Sequence, residues 1–314
     1  MRRARRRGGI VAVAALLACA TAGAGERVFV VGDGGFGDVQ AAVDAAVAAA
    51  GPATIRIGAG TWRGVVDVPP GAPPLRMVGA GATRTRLVQG HFAARIDPAT
   101  GQPFGTYGSA TMFVRADDFS AEALTIANDA GPVGQAVALV VDGTRAAFRD
   151  VHLLGHQDTL YLRTGGALAY FGDCRIEGTV DYVFGGATAL FERCTLHSVG
   201  DGYVTAASTP AGAAHGFVFR DCRLTAAPGV RRVHLGRPWR ADAAVLFAGC
   251  TLEAPVPAEG WHDWGRPERR ATARFSEIGN DGPGAAIAGR VSWRRPVDRV
   301  PDAAEVLAGW SPFE

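Results

Sequence analysis

The sequence predicts an all-β protein, a right-handed parallel β-helix, from a short repeat and from what separates its copies. Copies of the repeat start at Phe148, Phe171, Phe191, Phe219 and Phe247, and a weaker one covers Ala121–Ile126. Successive starts lie 20 to 28 residues apart, and this variation fits loops of different length on one side of the coil. Each copy alternates apolar and polar residues with period two, as a strand does. A strand that recurs at this interval without crossover helices predicts a solenoid.

The remaining segments fit a coil of stacked turns. Glycine, aspartate and proline dominate the gaps, and the leucine and asparagine signature of leucine-rich repeats is absent. A helical pattern at 38–50 predicts a short cap on the N-terminal end of the coil, and Ala303–Trp310 is expected to pack over its side. Corresponding positions of successive turns should then lie about 4.8 Å apart.

The segment 1–24 has the pattern of an export signal. Five arginines near the N-terminus precede an apolar run, Ile10–Ala20, that is too short to span a bilayer. We therefore expect a secreted protein whose residues 25–314 form a single catalytic β-helix domain with no membrane span. The segment Leu16–Cys19 also matches a lipoprotein signal. Lipidation of Cys19, with anchoring at the outer surface or in the periplasm, is the alternative.

The composition excludes several kinds of chemistry. All 32 basic residues are arginine, so a Schiff-base lysine and a P-loop lysine are ruled out. Without the leader, the acidic residues slightly outnumber the arginines and there is no basic run, which argues against nucleic-acid binding. Gly32–Gly37 matches the dinucleotide fingerprint, but no acidic residue ends the next strand. We interpret it as a turn that leads into the capping helix.

Four cysteines occupy the same position in successive copies of the repeat. Their wide spacing contains no C-x-x-C pair, so a metal site is not indicated. Stacked inward-facing positions are close enough for a disulfide, with Cys174–Cys194 as the first candidate. A ladder of buried free thiols is the alternative.

Two aspartates coincide in register. Asp158 follows Phe148 by the same number of residues as Asp181 follows Phe171, so both should occupy equivalent positions one turn apart. Two carboxylates at about 5 Å cannot both ionise easily, which suits an acid paired with a base or nucleophile. Asp201 has the same offset from its phenylalanine but a loop-like context. A surface ladder of turn-forming aspartates remains the alternative reading.

Several neighbouring side chains match an active site. Gln157 adjoins Asp158, and Gln135 lies in the preceding turn, so both amides could donate hydrogen bonds. Arg237 could pair with one aspartate and keep it ionised. Trp239 offers a flat face for a sugar ring. A turn amide, a surface ion pair and a core tryptophan are the corresponding structural roles.

These segments together resemble the pectin methylesterases, carbohydrate esterases with a right-handed parallel β-helix. The similarity runs in order from about residue 28 to 313. It is carried by Gly134–Leu139, Gly155–Tyr161, Gly178–Gly185, Leu235–Trp239, Gly260–Trp264 and Gly282–Ala285. His156 stands where the family more often has an aromatic residue, and the loops are short, which leaves the substrate preference open.

The resemblance implies a role for each matching residue. Asp181 is the expected nucleophile on the methyl ester of a galacturonate unit. Asp158 is the expected general acid and then base. Gln135 and Gln157 would stabilise the oxyanion, and Arg237 would orient Asp181. Trp239 and Phe184 would form apolar walls of the substrate site.

The expected substrate is a polysaccharide, methyl-esterified homogalacturonan, and the expected state is a monomer. The resemblance implies no metal and no organic cofactor. A glycoside hydrolase would also use two carboxylates but would not need two amides and an arginine beside them. A calcium-dependent lyase would need a larger acidic cluster. A β-helix esterase for a different ester, or a non-catalytic carbohydrate-binding β-helix, are the remaining alternatives.

Overall fold

In the computed structural model, which describes residues 27–313, short parallel strands follow one another along a coil. The first strands are β1 (Arg27–Val31), β2 (Ala53–Ile57), β3 (Gly60–Arg63), β4 (Val66–Val68), β5 (Leu75–Gly79), β6 (Thr85–Gln89) and β7 (Met112–Val114). The middle strands are β8 (Ser120–Asn128), β9 (Leu139–Val141), β10 (Ala146–Leu154), β11 (Leu160–Leu162), β12 (Leu168–Gly172), β13 (Arg175–Gly185) and β14 (Thr188–Glu192). The last strands are β15 (Thr195–Ala207), β16 (Phe217–Arg220), β17 (Arg223–Ala226), β18 (Val233–Pro238), β19 (Ala244–Ala248), β20 (Thr251–Leu252) and β21 (Arg274–Ile278).

The strands pair in parallel and form three faces of the coil. The first face runs through β1, β2, β5, β8, β10, β12, β14, β16, β19 and β21. The second face runs through β3, β6, the later parts of β8 and β10, the early parts of β13 and β15, β17 and β20. The third face runs through β4, β7, β9, β11, the ends of β13 and β15, and β18. The predicted right-handed parallel β-helix is confirmed.

The aspartates of the repeat mark a corner of the coil. In successive turns the chain passes from the first face to the second at a residue in the left-handed region, with φ between 50° and 62°. These corner residues are Ala123, Asp150, Asp173, Arg193, Asp221 and Gly249. Aspartate tolerates this conformation better than most residues because its short side chain can bond locally. The residue that follows each repeat phenylalanine by two therefore has a backbone role.

The interior is built from columns of identical side chains. The repeat phenylalanines are fully buried, and rings on adjacent turns stack with centroids 4.5 to 4.8 Å apart. Each contributes about 1.5–3 kcal/mol through burial. The four cysteines form a parallel column of buried free thiols, so the free-thiol alternative holds and the Cys174–Cys194 bridge is absent. Cys194 Sγ, for example, lies 3.3 Å from the Phe171 carbonyl oxygen.

The predicted capping helix and the segment Ala303–Trp310 both pack where the sequence suggested. Helix α1 (Val39–Ala48) covers the N-terminal end of the coil against β1, β2 and β4, and the Asp38 side chain caps it. Helix α2 (Gly105–Gly108) and a 3₁₀ helix (Pro267–Ala271) lie in loops. Helix α3 (Ala303–Val306) brings Val306 and Leu307 against the outside of the first face.

The predicted leader at 1–24, with Cys19, lies outside the described residues. Within residues 27–313, no helix has the length and apolar composition that a bilayer crossing requires.

Candidate active site

One cavity on the third face collects all seven residues to which the resemblance assigned a role. Its volume is about 410 Å³. The predicted residues that line it are Gln135, Gln157, Asp158, Asp181, Phe184, Arg237 and Trp239. Thr106, Tyr107, Tyr161, Ala206 and Trp264 complete the lining. Residues that are distant in sequence therefore meet because the coil stacks its turns.

The two aspartates lie one turn apart, as their register predicted. Leu160 pairs with Val183 on the third face, and the Asp158 N–H donates to the Val180 carbonyl oxygen at 3.0 Å. Both aspartates have left-handed backbone, with φ of 66° at Asp158 and 53° at Asp181. They stand at the corner between the second and third faces. Strained backbone of this kind is often found at functional sites.

Burial and mutual repulsion separate the two carboxyl groups in acidity. Asp158 is 8% exposed and Asp181 is 5% exposed. Burial, reinforced by the negative charge of Asp181, raises the pKa of Asp158 to about 8. Burial also raises the pKa of Asp181, but the bonds from Arg237 oppose that rise. Of the two, Asp158 therefore holds a proton at neutral pH, and the pairing with Arg237 favours the charged form of Asp181.

Arg237 binds Asp181 through both arms of its guanidinium group. Nε donates to Oδ1 at 2.9 Å, and Nη2 donates to Oδ2 at 2.7 Å. The two side chains are only 17% and 7% exposed, so solvent screens this ion pair weakly. Asp181 is thereby fixed in orientation as well as in charge.

The two glutamines stack as the two aspartates do. Gln135 and Gln157 form a parallel bridge, and the Ala136 N–H donates to the Gln157 carbonyl oxygen at 3.1 Å. From the other side, the Ala93 N–H donates to the Gln135 carbonyl oxygen at 2.8 Å. Interaction with the Gln157 side chain opposes part of the rise in the pKa of Asp158. Two amide groups are thus placed at the edge of the cavity next to the acidic pair.

Aromatic rings form one wall of the cavity. Tyr161 and Phe184 stack with centroids 4.2 Å apart, and Trp239 meets both rings edge-on at 6.1 and 5.9 Å. The structure therefore places Phe184 and Trp239 in the wall that the sequence predicted. Sequence reasoning missed Tyr161, although its offset from Phe184 is the offset that relates the two aspartates.

Asp201 does not join the stack, and the structure places it in β15 instead of in a loop. The pairing of β13 with β15 shifts from Gly178 with Ser198 to Val180 with Tyr203, so extra residues enter the later strand. Counting the same offset from Phe191 therefore does not reach the equivalent position. The Asp201 carboxylate is exposed and accepts the backbone N–H groups of Arg231 and Arg232 at 2.7 and 3.1 Å.

Comparison with known proteins identifies the family. The pectinesterase family model matches residues 27–306. The chain belongs to the pectinesterase family. It is 36% identical to pectinesterase 31 of Arabidopsis thaliana over 270 residues, which cover 84% of each protein. It is 33% identical to probable pectinesterase A of Aspergillus fumigatus, over 88% of this chain and 84% of the relative.

Solved structures of pectinesterases have the same fold. Pectin methylesterase from carrot superposes with a TM-score of 0.81 at 29% identity, covering 92% of this chain and 95% of that one. A pectin methylesterase in complex with a hexasaccharide superposes with a TM-score of 0.79 at 28% identity, over 93% of this chain and all of that one. As a member of the pectinesterase family, the protein is a carboxylic ester hydrolase.

Among residues 27–313, no three His, Cys, Asp or Glu side chains converge as metal ligands. The cavity instead contains two buried carboxyl groups, one of them paired with an arginine, together with two amides and an aromatic wall. Ester hydrolysis needs a proton donor, a nucleophile and donors for an oxyanion, and carboxyl and amide groups have the chemistry that these roles require.

Proposed function

We propose that the cavity hydrolyses methyl esters of polygalacturonate and releases methanol, with Asp181 as the nucleophile and Asp158 as the general acid and base. The observation that carries this proposal is the stacked pair of buried carboxyl groups, of which Asp181 alone is held by Arg237. Membership of the pectinesterase family supports the ester, and the hexasaccharide complex of a relative supports a polysaccharide substrate.

In the first step, a carboxylate oxygen of Asp181 attacks the ester carbonyl carbon. The bond from that carbon to the methoxy oxygen breaks, and Asp158 transfers its proton to the departing oxygen, so methanol leaves neutral. Asp181 is then joined to the substrate as an anhydride. A pKa of about 8 keeps Asp158 protonated at neutral pH, which this step requires.

The negative charge of the tetrahedral intermediate falls on the former carbonyl oxygen. The side-chain amides of Gln135 and Gln157 are the donors beside the acidic pair and would bind this oxygen. Amides on stacked turns need little reorganisation as the charge develops, which is the origin of such stabilisation.

In the second step, the ionised Asp158 takes a proton from a water molecule, which attacks the anhydride. The bond to Asp181 breaks, Asp181 leaves as a carboxylate paired with Arg237, and Asp158 is protonated again. The galacturonic acid unit that is released loses its own proton to solvent. Both aspartates therefore return to their starting protonation states.

The aromatic wall suits the apolar parts of the substrate. Phe184 and Trp239, with Tyr161, would contact the methyl group and one face of the sugar ring. We further propose that residues 25–314 act as a single catalytic domain and a monomer on homogalacturonan outside the cell. The alternative is a form anchored through Cys19.

The test is methanol release from highly methyl-esterified polygalacturonan in water enriched in ¹⁸O. We expect release of unlabelled methanol, with ¹⁸O entering the uronate carboxyl group, because the acyl–oxygen bond breaks. A matched acetyl-esterified, unmethylated polymer should release little product. Reducing ends or unsaturated ends without methanol would overturn the proposal in favour of a hydrolase or lyase. Acetate release alone would indicate a different ester.

A further inference from the structure

Arg237 makes a second set of contacts that its pairing with Asp181 does not explain. Its Cζ lies 4.0 Å from the ring centroid of Tyr203 and 3.7 Å from that of Trp264, over the face of each ring. These are short distances for a cation over an aromatic ring. The guanidinium group is thus held by a carboxylate in its plane and by two aromatic faces. We name Tyr203 and Trp264 the aromatic clamp.

The two rings of the aromatic clamp differ in their access to the cavity. Trp264 lines the catalytic cavity, so its removal would also change contacts with substrate. Tyr203 lines the adjoining cleft, together with Val180, His234 and His262, and is absent from the cavity lining. An effect of Tyr203 on catalysis must therefore pass through the groups that it touches.

The stacked coil holds Tyr203 in place. Tyr203 pairs with His234 on the next turn, and their rings stack with centroids 5.0 Å apart. His262 meets the Tyr203 ring edge-on at 5.6 Å. His262 Nδ1 in turn accepts the backbone N–H of Trp264 at 2.9 Å, which ties the segment that carries Trp264 to a residue packed on Tyr203. The Tyr203 ring therefore has packing partners besides Arg237.

An arginine side chain has many rotamers, and an unconstrained guanidinium group can leave its carboxylate. Flat aromatic faces restrict it to one plane without using its N–H donors, which remain free to bind Asp181. We propose that Tyr203 is a positioning residue that, with Trp264, keeps the Arg237 guanidinium group coplanar with the Asp181 carboxylate. This inference rests on the proposed function, because it assigns Asp181 the role of nucleophile.

The decisive comparison is between Tyr203→Leu and Tyr203→Phe. Leucine keeps apolar bulk but removes the aromatic face, so we expect kcat to fall about tenfold with KM within twofold of wild type. Phenylalanine keeps the face and loses only the hydroxyl, so we expect kcat close to wild type. Methanol release measured against substrate concentration gives both constants.

A second readout follows from the charge on Asp181. When Arg237 is less well fixed, the ionised form of Asp181 is less favoured, so the acidic limb of the kcat/KM profile should move to higher pH in Tyr203→Leu. His234, His262, Arg232 and Asp201 also face this cleft. Tyr203→Phe leaves all four in place and serves as the reference for the profile.

A matched control removes a cation–ring contact far from the cavity. Arg149 Cζ lies 4.3 Å from the ring centroid of Phe313 near the C-terminal end of the described chain. We expect Phe313→Leu to leave kcat, KM and the pH profile unchanged. Thermal unfolding of each variant shows whether it is folded at the assay temperature.

The double variant with Arg237→Lys keeps the test informative if Tyr203→Leu is less stable. Lysine has no planar group for the ring to face. Adding Tyr203→Leu to Arg237→Lys should therefore lower kcat by less than a further twofold. The positioning role would be overturned if Tyr203→Leu lowered kcat equally in the wild-type and Arg237→Lys backgrounds. Equal kcat for Tyr203→Leu and Tyr203→Phe would also overturn it. Methanol release by wild type tests the proposed function separately, whatever these variants do.

Discussion

The phenylalanine column inside the coil and the acidic pair on its outside both arise because equivalent residues of successive turns lie next to each other. The energetic consequences of this stacking are opposite. Phe171 and Phe191 stack at 4.8 Å because one turn of the coil repeats the last. Asp158 and Asp181 stand one turn apart for the same reason. Stacked apolar rings gain from their proximity, whereas stacked carboxylates repel each other.

The difference shows how a repetitive scaffold can produce a reactive site. Repetition in the interior stabilises the fold, and repetition at a corner of the third face places two like charges where one must take a proton. Arg237 favours the ionised form of Asp181 over that of Asp158, because its Nε and Nη2 both bind the Asp181 carboxylate. The stability and the chemistry of this protein can therefore be perturbed independently, as the following variants would show.

The largest expected effect is on the outer pair. Asp181→Asn keeps a side chain that tolerates left-handed backbone but removes the nucleophile, so methanol release should fall by at least about 10³-fold. The melting temperature, followed by circular dichroism, should change little. Asp201→Asn, in the neighbouring strand but outside the cavity, is the control and should retain activity. Appreciable turnover by Asp181→Asn would refute the nucleophile assignment.

The inner column should respond in stability and not in chemistry. Phe191→Ala leaves a cavity between two stacked rings and should lower the free energy of unfolding by about 3–5 kcal/mol. Urea denaturation measures this change, and kcat per folded molecule should stay within a few fold of wild type. A loss of kcat comparable with that of Asp181→Asn would show that the two regions are not separable.

Removing one amide sharpens the comparison within the cavity. Gln157→Ala should lower kcat by about 10²–10³-fold, because an oxyanion donor acts mainly in the transition state. KM, from initial rates of methanol release, should change much less. An effect confined to KM would instead assign Gln157 to substrate binding.

The smallest expected effect is on stability, because the Asp158 carboxyl group is buried and lies beside the charge of Asp181. The pKa of Asp158 is raised to about 8 in the folded protein, against about 3.9 in an unfolded chain, so the folded state binds more protons between these values. The contribution of Asp158 to the free energy of unfolding of the wild type is therefore highest below about pH 4 and falls as the pH rises through about 8.

Asp158→Asn removes this titration. Between pH 5 and pH 9, we expect the free energy of unfolding to fall less in the variant than in the wild type. The two decreases should differ by more than about 1 kcal/mol in urea denaturation. Its catalytic activity should fall because the proton donor is gone. Parallel stability profiles for the two proteins would mean that Asp158 is not protonated in the folded state.

The sequence predicted what periodicity controls. Phenylalanine and cysteine recur at fixed positions, so the coil, its interior columns and the register of Asp158 with Asp181 followed by counting. Asp201 shows the limit of that method, because extra residues enter β15 between Ser198 and Tyr203 and break the count. The loop-like context of Asp201 set it apart from the other two aspartates, but it did not show that the residues continue a longer strand.

Contacts between dissimilar residues were also beyond sequence reasoning. Tyr203 and Arg237 are far apart in sequence and share no motif, yet the ring and the guanidinium group meet at 4.0 Å. The left-handed backbone at Asp158 and Asp181 was equally hidden, since neither is followed by the glycine that commonly marks a turn. Both features arise from how one turn sits on the next.

The position of the catalytic corner along the coil has a consequence for amide hydrogen exchange. On the third face, β11 and β13 have paired strands on both sides, from β4 at one end to β18 at the other. Coils of this type open from their ends, where a turn has only one neighbour. The amide of Asp158, bonded to Val180, should therefore exchange with deuterium far more slowly than amides of β1 or β21. We therefore expect the proposed reactive groups to lie in the part of the chain that unfolds last.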